Sequence, residues 1–292
     1  MTLRITIDIF SGRPNPVIEL TGKEEKDALE RLQPGSKIKK GEMGLPPEPT
    51  LGYRGMVIEK TGVAVKGLPR MFRLAHGDMF GEGLANRAAD EAFEDFVCGT
   101  KGLISRLRLG PAFPELVKKS IKDFRIVRAK WPWDEIVRPP IIRGCPCGPL
   151  YEPTWWNDAG QKQDNNNCYN YGCNYRTDTY AQPGLASGVT HSLTCATVKT
   201  AAVADGLINT PKADNKCPDE GHLVAMAIWP GWDYHWYRKG RNAYWSHKPG
   251  WGAVTNKDNS NASISDPRTA NRGGYTDFCT FMVVQHGHIK IK

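Results

Sequence analysis

The sequence has no apolar run long enough to span a bilayer, so we expect no transmembrane segment. Its start, "MTLRITIDIFSGRPNP", lacks the basic region, apolar stretch and small-residue cleavage site of a secretory signal peptide. The chain is therefore expected either to be cytoplasmic or to lack its leader. Its composition, 40% hydrophobic and 24% charged, is ordinary for a soluble globular protein.

Motifs for nucleic-acid binding are absent as well. The net charge is +8, but the basic residues are spread along the chain, with only short clusters such as "KIKK" at 37–40. This pattern predicts a generally basic surface, and nucleic acid is not a predicted partner. An anionic surface such as a bacterial cell wall is the better match for that charge. No feature of the sequence fixes an oligomeric state.

Paired Cys-x2-Cys motifs with zinc spacing are also missing, so we predict neither a metal nor another cofactor. The cysteines nevertheless number eight, and seven of them lie beyond residue 140. Such a content is compatible with secretion and with disulfide bonds. If one cysteine serves as a thiolate, another must also stay unpaired, and Cys98 among apolar neighbours is the best candidate for a buried free thiol.

Hydrophobic periodicity predicts an α+β protein with a small mixed α/β domain at 1–145 and a Cys/Trp-rich domain at 146–292. The first domain alternates short strands with helices, beginning with a hairpin. The second has one helix followed by antiparallel strands, among them a hairpin that turns at "RKGRNA". The predicted strands are 3–10, 17–20, a pair within 55–67 that turns at Thr61-Gly62, 221–231, 233–240, 241–250 and 274–285. The predicted helices are 21–32, 84–99, 113–130 and part of 187–208, and a loop is predicted at 33–50.

The stretch "DNNNCYNYGC" at 164–173 carries the strongest chemical signal. Asparagines that lead into Cys168 suggest a helix N-cap, with the thiol as the first helical residue. A helix N-terminus favours a thiolate and offers N–H groups to an oxyanion. Gln163, five positions earlier, could add its side-chain amide to the same oxyanion.

A thiolate nucleophile needs a base, and three histidines of the second domain are candidates. His235 in "DYHWYR" is preferred because its aromatic neighbours predict a dry setting. His247, on the partner strand of the hairpin, and His222, at the start of the preceding strand, are the alternatives. Asp266, in a turn before a proline, is the candidate that orients the imidazole.

A cysteine at a helix start, then a histidine on a sheet, then an aspartate resembles the papain-like cysteine peptidase superfamily, which includes bacterial cell-wall amidases. The resemblance covers about 163–282 and lies in the layout, since the Gly-Ser-Cys-Trp run is replaced by "CYNYGC" and the glutamine stands one residue closer to the cysteine. It implies a papain-like helix-plus-antiparallel-sheet domain and a peptidase or amidase that acts on a peptide or cell-wall-like substrate.

Structural alternatives exist for each of these residues. Cys168 and Cys173 could be inert thiols or could form disulfides with other cysteines. The tryptophans could pack a loop-rich core, although Trp232 and Trp251 beside glycines are candidates for substrate binding. The main prediction is therefore a cysteine-dependent hydrolase, and the alternative is a non-catalytic, disulfide-stapled binding module for glycans or cell-wall fragments.

Overall fold

The computed structural model describes most of the chain and groups it into two units. The described residues are 2–32, 50–62, 65, 68–75, 78–80, 87–88, 91–99, 101–129, 144–157, 163–210 and 214–292. By their contacts, residues within 1–9, 15–48 and 53–129 form the first unit. Residues within 10–14, 49–52 and 130–292 form the second.

The first unit is built on an antiparallel sheet with the strand order β2-β1-β3-β4-β5-β6. In β1, Leu3, Ile5 and Ile7 are buried in the core and Arg4 between them is exposed, although Thr6 is buried as well. Three helices and one short 3-10 helix complete the described part of this unit. The strands are β1 (Thr2–Ile7), β2 (Val17–Thr21), β3 (Met56–Thr61), β4 (Met71–Ala75), β5 (Asp78–Phe80) and β6 (Arg87–Ala88), and the helices are α1 (Gly22–Arg31), α2 (Glu91–Cys98), the 3-10 helix Leu103–Arg106 and α3 (Phe113–Ala129).

A buried carboxylate fastens the loops at the end of β1. Asp8 is fully buried and receives hydrogen bonds from Arg54 and Arg73, each at 2.6 Å. Burial alone would raise the pKa of Asp8, but the two guanidinium groups outweigh burial and lower this pKa below its usual value. The ionised triad is therefore part of the folded core of the first unit.

The second unit contains an antiparallel sheet with the strand order β10-β9-β8-β11-β7. Strands β8 and β9 are buried along their whole length, because helices and loops cover both faces. Helix α5 packs against β9, and α6 packs near β8 and β11. The strands are β7 (Ile208–Asn209), β8 (His222–Trp229), β9 (Asp233–Lys239), β10 (Trp245–His247) and β11 (Asp277–Val284), and the helices are α4 (Pro153–Trp156), α5 (Cys168–Cys173), the 3-10 helix Leu185–Ser187 and α6 (Cys195–Ala204).

Two disulfides staple the second unit. Cys195, the first residue of α6, is bonded to Cys279 on β11, and this bond ties the helix to the sheet. Cys145 is bonded to Cys217, which joins the segment before α4 to the loop before β8. Each bond closes a long loop and is expected to stabilise the fold by about 4 kcal/mol through the unfolded chain.

The α+β class with antiparallel sheets is confirmed, and so is the hairpin of β9 with β10. The first hairpin also forms, from β1 and β2 in register. Strand β3 ends at Thr61 and pairs with β1 and with β4, and most of the second strand predicted within 55–67 lies outside the described residues. The loop predicted at 33–50 lies outside the described residues except for its last position.

Candidate functional site

Helix α5 begins at Cys168, as the asparagine-rich stretch before it predicts. The side-chain oxygen of Asn167 accepts hydrogen bonds from the backbone N–H groups of Tyr169 at 2.9 Å and Asn170 at 3.1 Å. The Asn170 side chain accepts one in return from the backbone of Asn167, and this completes a capping box. The cap thus occupies two of the helix N–H groups that an oxyanion would need.

The Cys168 thiol lies in the core and has no solvent exposure. It donates a hydrogen bond to the backbone oxygen of Tyr234 at 3.8 Å and packs in the same hydrophobic cluster as Trp236. Burial raises the pKa of this thiol well above its usual value, and the charge of Asp233 raises it further. Contacts with the Trp236 backbone and the Ser11 side chain lower it only in part. The environment therefore favours the neutral thiol, whereas a nucleophile needs the thiolate.

A chain of buried polar groups leads through the two histidines of the β9–β10 hairpin. The Ser11 hydroxyl lies 2.5 Å from Nδ1 of His235, and Nε2 of His235 lies 2.9 Å from Nδ1 of His247. Nε2 of His247 lies 2.8 Å from the backbone oxygen of Lys257. Because a carbonyl only accepts, His247 donates to Lys257, and neutral rings then require His235 to donate to His247 and Ser11 to donate to His235.

The loop that carries Ser11 is held by Asp233, the first residue of β9. The carboxylate of Asp233 accepts from three consecutive backbone N–H groups, those of Ser11, Gly12 and Arg13, and from the hydroxyl of Tyr275. Burial raises the pKa of Asp233, and these four donors counter part of that rise. Four donors around one buried carboxylate fix the loop backbone against the strand.

Gly12 is the second anchor of this loop. Its backbone oxygen accepts from the side-chain amides of Asn167 and Gln182 and from the hydroxyl of Tyr234. A Cβ at this position would overlap the ring of Tyr234, so only glycine fits. The sequence prediction missed Ser11 and Gly12, since "SGRPNP" reads only as the turn between two strands.

The structure places Asp266 and Gln163 away from the roles predicted for them. The Asp266 carboxylate is engaged by the side chain and backbone of Arg268, at distances from 2.6 to 3.0 Å, and the position next to His235 is filled by His247 instead. The side-chain amide of Gln163 donates to the backbone oxygen of Trp251 at 2.9 Å. Asp266 is therefore engaged within its own loop and Gln163 by the loop after β10, in place of the arrangement predicted for them.

His222, the third candidate base, is buried at the start of β8. One of its ring nitrogens, Nε2, lies 2.8 Å from the backbone oxygen of Gly172 in α5. Burial lowers its pKa to about 3, and the charge of Arg238 contributes to the lowering. A histidine with this pKa is neutral at physiological pH and far too weak a base for proton transfer there.

The two tryptophans predicted to bind substrate are only partly exposed. Trp232 lies in the turn between β8 and β9, where its backbone oxygen accepts from Arg13. Trp251 lies in the loop after β10, and its backbone oxygen is the acceptor for Gln163. Neither contact involves the indole rings, so a binding role for both stays a prediction.

Four cysteines remain free outside the two disulfides. Cys98, Cys168 and Cys173 are buried, and Cys147 is exposed. The prediction of Cys98 as a buried free thiol is confirmed, and burial raises its pKa. Of the two alternatives for Cys168 and Cys173, the structure shows free thiols rather than disulfides.

Two features are absent from the described part of the chain. No group of three or more His, Cys, Asp or Glu side chains is arranged there to hold a metal ion. Among the same residues, no helix has both the length and the apolar character needed to cross a membrane.

Comparison with known proteins corrects the predicted activity. No family model and no solved structure matches the chain, so the papain-like resemblance stays a prediction. A curated protein, insoluble matrix shell protein 1 of Ruditapes philippinarum, is 44% identical over 142 residues, which are 47% of this chain and 91% of the relative. Its name describes a structural protein, and on this finding the prediction of a cysteine hydrolase, with its protease classification, is wrong. Since the match spans nearly all of that relative, the chain belongs to the same family as insoluble matrix shell protein 1.

Proposed function

We propose that the chain is a non-catalytic, disulfide-stapled binding module of an extracellular matrix, with a glycan or cell-wall-like fragment as its ligand. The observation that carries this proposal is the family membership, because the matched relative is named as an insoluble shell matrix protein. The sequence analysis predicted a peptide or cell-wall-like substrate. In this proposal the partner is a glycan that the protein binds and does not cleave.

The second unit has the build expected of a durable extracellular module. Its two disulfides, Cys145–Cys217 and Cys195–Cys279, each cross-link elements more than 70 residues apart in sequence, by separations of 72 and 84. Disulfides of this kind persist in oxidising compartments, which supports secretion. The exposed Cys147 adds one thiol that such a compartment could oxidise.

The buried polar groups support a structural role in place of a catalytic one. Ser11, His235 and His247 have no solvent exposure, and hydrogen bonds connect them to one another. A buried network of this kind fixes the conformation of a core. The hydroxyl of Ser11 and the thiol of Cys168 are therefore closed off from any polymer outside.

Co-sedimentation with insoluble glycans tests the proposed function. The protein is mixed with suspended peptidoglycan or cross-linked polygalacturonate, and bound protein is measured in the pellet as its concentration rises. We expect saturable binding to at least one glycan, with no increase in free amino groups or reducing ends. A protein that stays in the supernatant with every glycan would overturn the proposal of glycan binding, and release of new ends would overturn the non-catalytic role.

A further inference from the structure

The side-chain amine of Lys239 is buried beside the side-chain amide of Asn215. Lys239 is the last residue of β9 and is 5% exposed, and Asn215 lies in the segment between β7 and β8. Nζ of Lys239 donates to the side-chain oxygen of Asn215 at 2.7 Å and to the backbone oxygen of the same residue at 2.7 Å. These two contacts hold the amine against a single amide group.

Three contacts fix which end of the Asn215 amide faces the amine. The amide oxygen accepts from Nζ of Lys239 and, at 2.9 Å, from Nε1 of Trp245. The amide nitrogen donates to the backbone oxygen of Ser265 at 2.9 Å. Two donors at one end and an acceptor at the other agree with a single orientation. The carbonyl carbon is then at most about 3.9 Å from Nζ, because a carbonyl bond is about 1.23 Å long.

The surroundings of Lys239 favour its neutral amine, which is the form that attacks a carbonyl. Burial lowers the pKa of Lys239, and the charges of Asp266 and Asp214 oppose that lowering. Arg268 pairs with both carboxylates, with Asp266 at 2.6 Å and with Asp214 at 3.3 Å. In the described part of the chain, neither carboxylate forms a direct ion pair with the lysine. A buried lysine in such a setting is a suitable nucleophile.

The groups around the amide match the needs of an attack on its carbonyl. Trp245 is fully buried, and its indole N–H already donates to the oxygen on which negative charge develops during an attack. Burial raises the pKa of Asp266, but hydrogen bonds from Arg268 and from the Asn215 side chain lower it below its ordinary value. The ionised carboxylate of Asp266 is therefore a proton acceptor beside the amide.

We propose that Lys239 and Asn215 form an intramolecular isopeptide bond. Nζ of Lys239 attacks Cγ of Asn215, and the oxygen on that carbon stays beside the indole N–H of Trp245. The bond between Cγ and the side-chain nitrogen of Asn215 breaks. Asp266 takes the proton that leaves Nζ and passes it to the departing nitrogen, so that ammonia is released. The reaction needs no oxidant and no external reactant, and each chain reacts once.

The isopeptide bond joins the end of β9 to a segment that already carries a disulfide. Asn215 lies two positions before Cys217, which is bonded to Cys145, and 24 positions before Lys239. The second unit thereby gains a third covalent cross-link, and reducing agents do not open this one. The inference goes beyond the proposed glycan binding and does not rest on it.

Intact-mass spectrometry of the purified full-length chain tests the proposal. After reduction of the disulfides, we expect a mass below that of the sequence by one ammonia, about 17 Da. Trypsin should leave Lys239 uncleaved and release it in a branched peptide, linked to the peptide that contains Asn215. A mass equal to that of the sequence, or loss of ammonia without the branched peptide, would overturn the proposal. Either result leaves glycan binding as it is, because co-sedimentation measures it separately.

Two lysine variants identify the attacking amine. Lys239→Arg keeps the positive charge but has no nucleophilic amine, so its mass should equal that of its own sequence. Lys216→Arg, at the exposed position next to Asn215, is the matched control and should still lose ammonia. Thermal unfolding of each variant confirms that it is folded. Loss of ammonia that persists in Lys239→Arg would mean that another pair reacts and would overturn the assignment.

The rate of bond formation tests the groups around the amide. Protein from cell-free synthesis is sampled over time, and the cross-linked fraction is measured by mass. Trp245→Phe should slow the reaction about 100-fold, since it removes one donor to the developing oxyanion. Asp266→Asn should also slow it, because the amide side chain cannot accept the proton. Rates equal to that of the wild type in both variants would overturn the roles of Trp245 and Asp266.

Discussion

The hydroxyl of Ser11 lies 2.5 Å from Nδ1 of His235, although 224 positions separate the two residues in the sequence. This contact is the start of the chain that continues through His247 to the backbone of Lys257. Both ring nitrogens of His235 are thus engaged within this chain of hydrogen bonds. The histidine expected to act as a base is therefore a structural member of a buried network.

Thiol labelling should separate the exposed cysteine from the buried ones. Iodoacetamide added to the native protein is expected to modify one thiol, that of Cys147, because Cys168 is buried and protonated. Unfolding without reduction should expose all four free thiols. Mass spectrometry of the labelled peptides counts the modified thiols in the native and in the unfolded protein. Cys147→Ser should abolish labelling of the native protein. Rapid native labelling of Cys168 would show an accessible thiolate.

Loss of the disulfide between α6 and β11 should destabilise the second unit. Replacing Cys195 and Cys279 together by serine is expected to lower the free energy of unfolding by about 4 kcal/mol, since the unfolded chain loses a cross-link that closes a long loop. Urea unfolding of the double variant measures this change. Cys147→Ser, which breaks no disulfide, is the control, and an unchanged unfolding midpoint in the double variant would contradict the stapling role.

His222 should make stability depend on pH. Its folded pKa, about 3, lies below the ordinary value of 6.5 because the ring is buried. The unfolded chain therefore takes up a proton near pH 6.5 while the folded chain does not. The contribution of His222 to the free energy of unfolding is complete above pH 6.5. It declines as the pH falls toward 3, by up to roughly 1.4 kcal/mol per pH unit.

Urea unfolding at several pH values between 4 and 7 measures this slope. His222→Gln retains a donor for the backbone oxygen of Gly172 but cannot titrate, so its stability should vary less across the same range. The wild type, measured in the same buffers, is the reference for this slope. Parallel slopes for wild type and His222→Gln would show that another group causes the dependence.

Gly12→Ala should disrupt the loop between β1 and β2. A methyl group there meets the ring of Tyr234, and both the loop and the tyrosine are fixed by hydrogen bonds. We expect destabilisation of roughly 1–3 kcal/mol from overpacking. Thermal unfolding measures it, and because Gly12 has no positive φ, the loss is expected from overpacking and not from backbone strain. Equal unfolding temperatures for Gly12→Ala and wild type would mean that the loop is not packed as described.

Local sequence patterns predicted much of the fold. They did not predict contacts between residues that are far apart in the sequence. The start of α5 at Cys168 follows from short-range capping by Asn167, and the β9–β10 hairpin follows from its turn residues. The hydrogen bond from the Ser11 backbone to Asp233 could not be predicted from such patterns, because no periodicity links positions 222 residues apart. The same limit applies to the disulfides, since spacing does not determine which cysteines meet.

The predicted chemistry failed for a related reason. A cysteine at a capped helix start predicts an activated thiolate only if the helix end faces solvent or a cleft. Here the sheet covers it, and burial reverses the direction of the pKa shift. Exposure is a property of tertiary packing, so the same stretch of sequence is compatible with both outcomes.

The most direct test of the central claim, binding without catalysis, uses insoluble peptidoglycan, which contains both sugar chains and amide bonds. Protein in the pellet and free amino groups in the supernatant are measured from one suspension over time. The account predicts saturable retention of the protein and a constant level of free amino groups. A steady increase in amino groups that ceases in Cys168→Ala would contradict it.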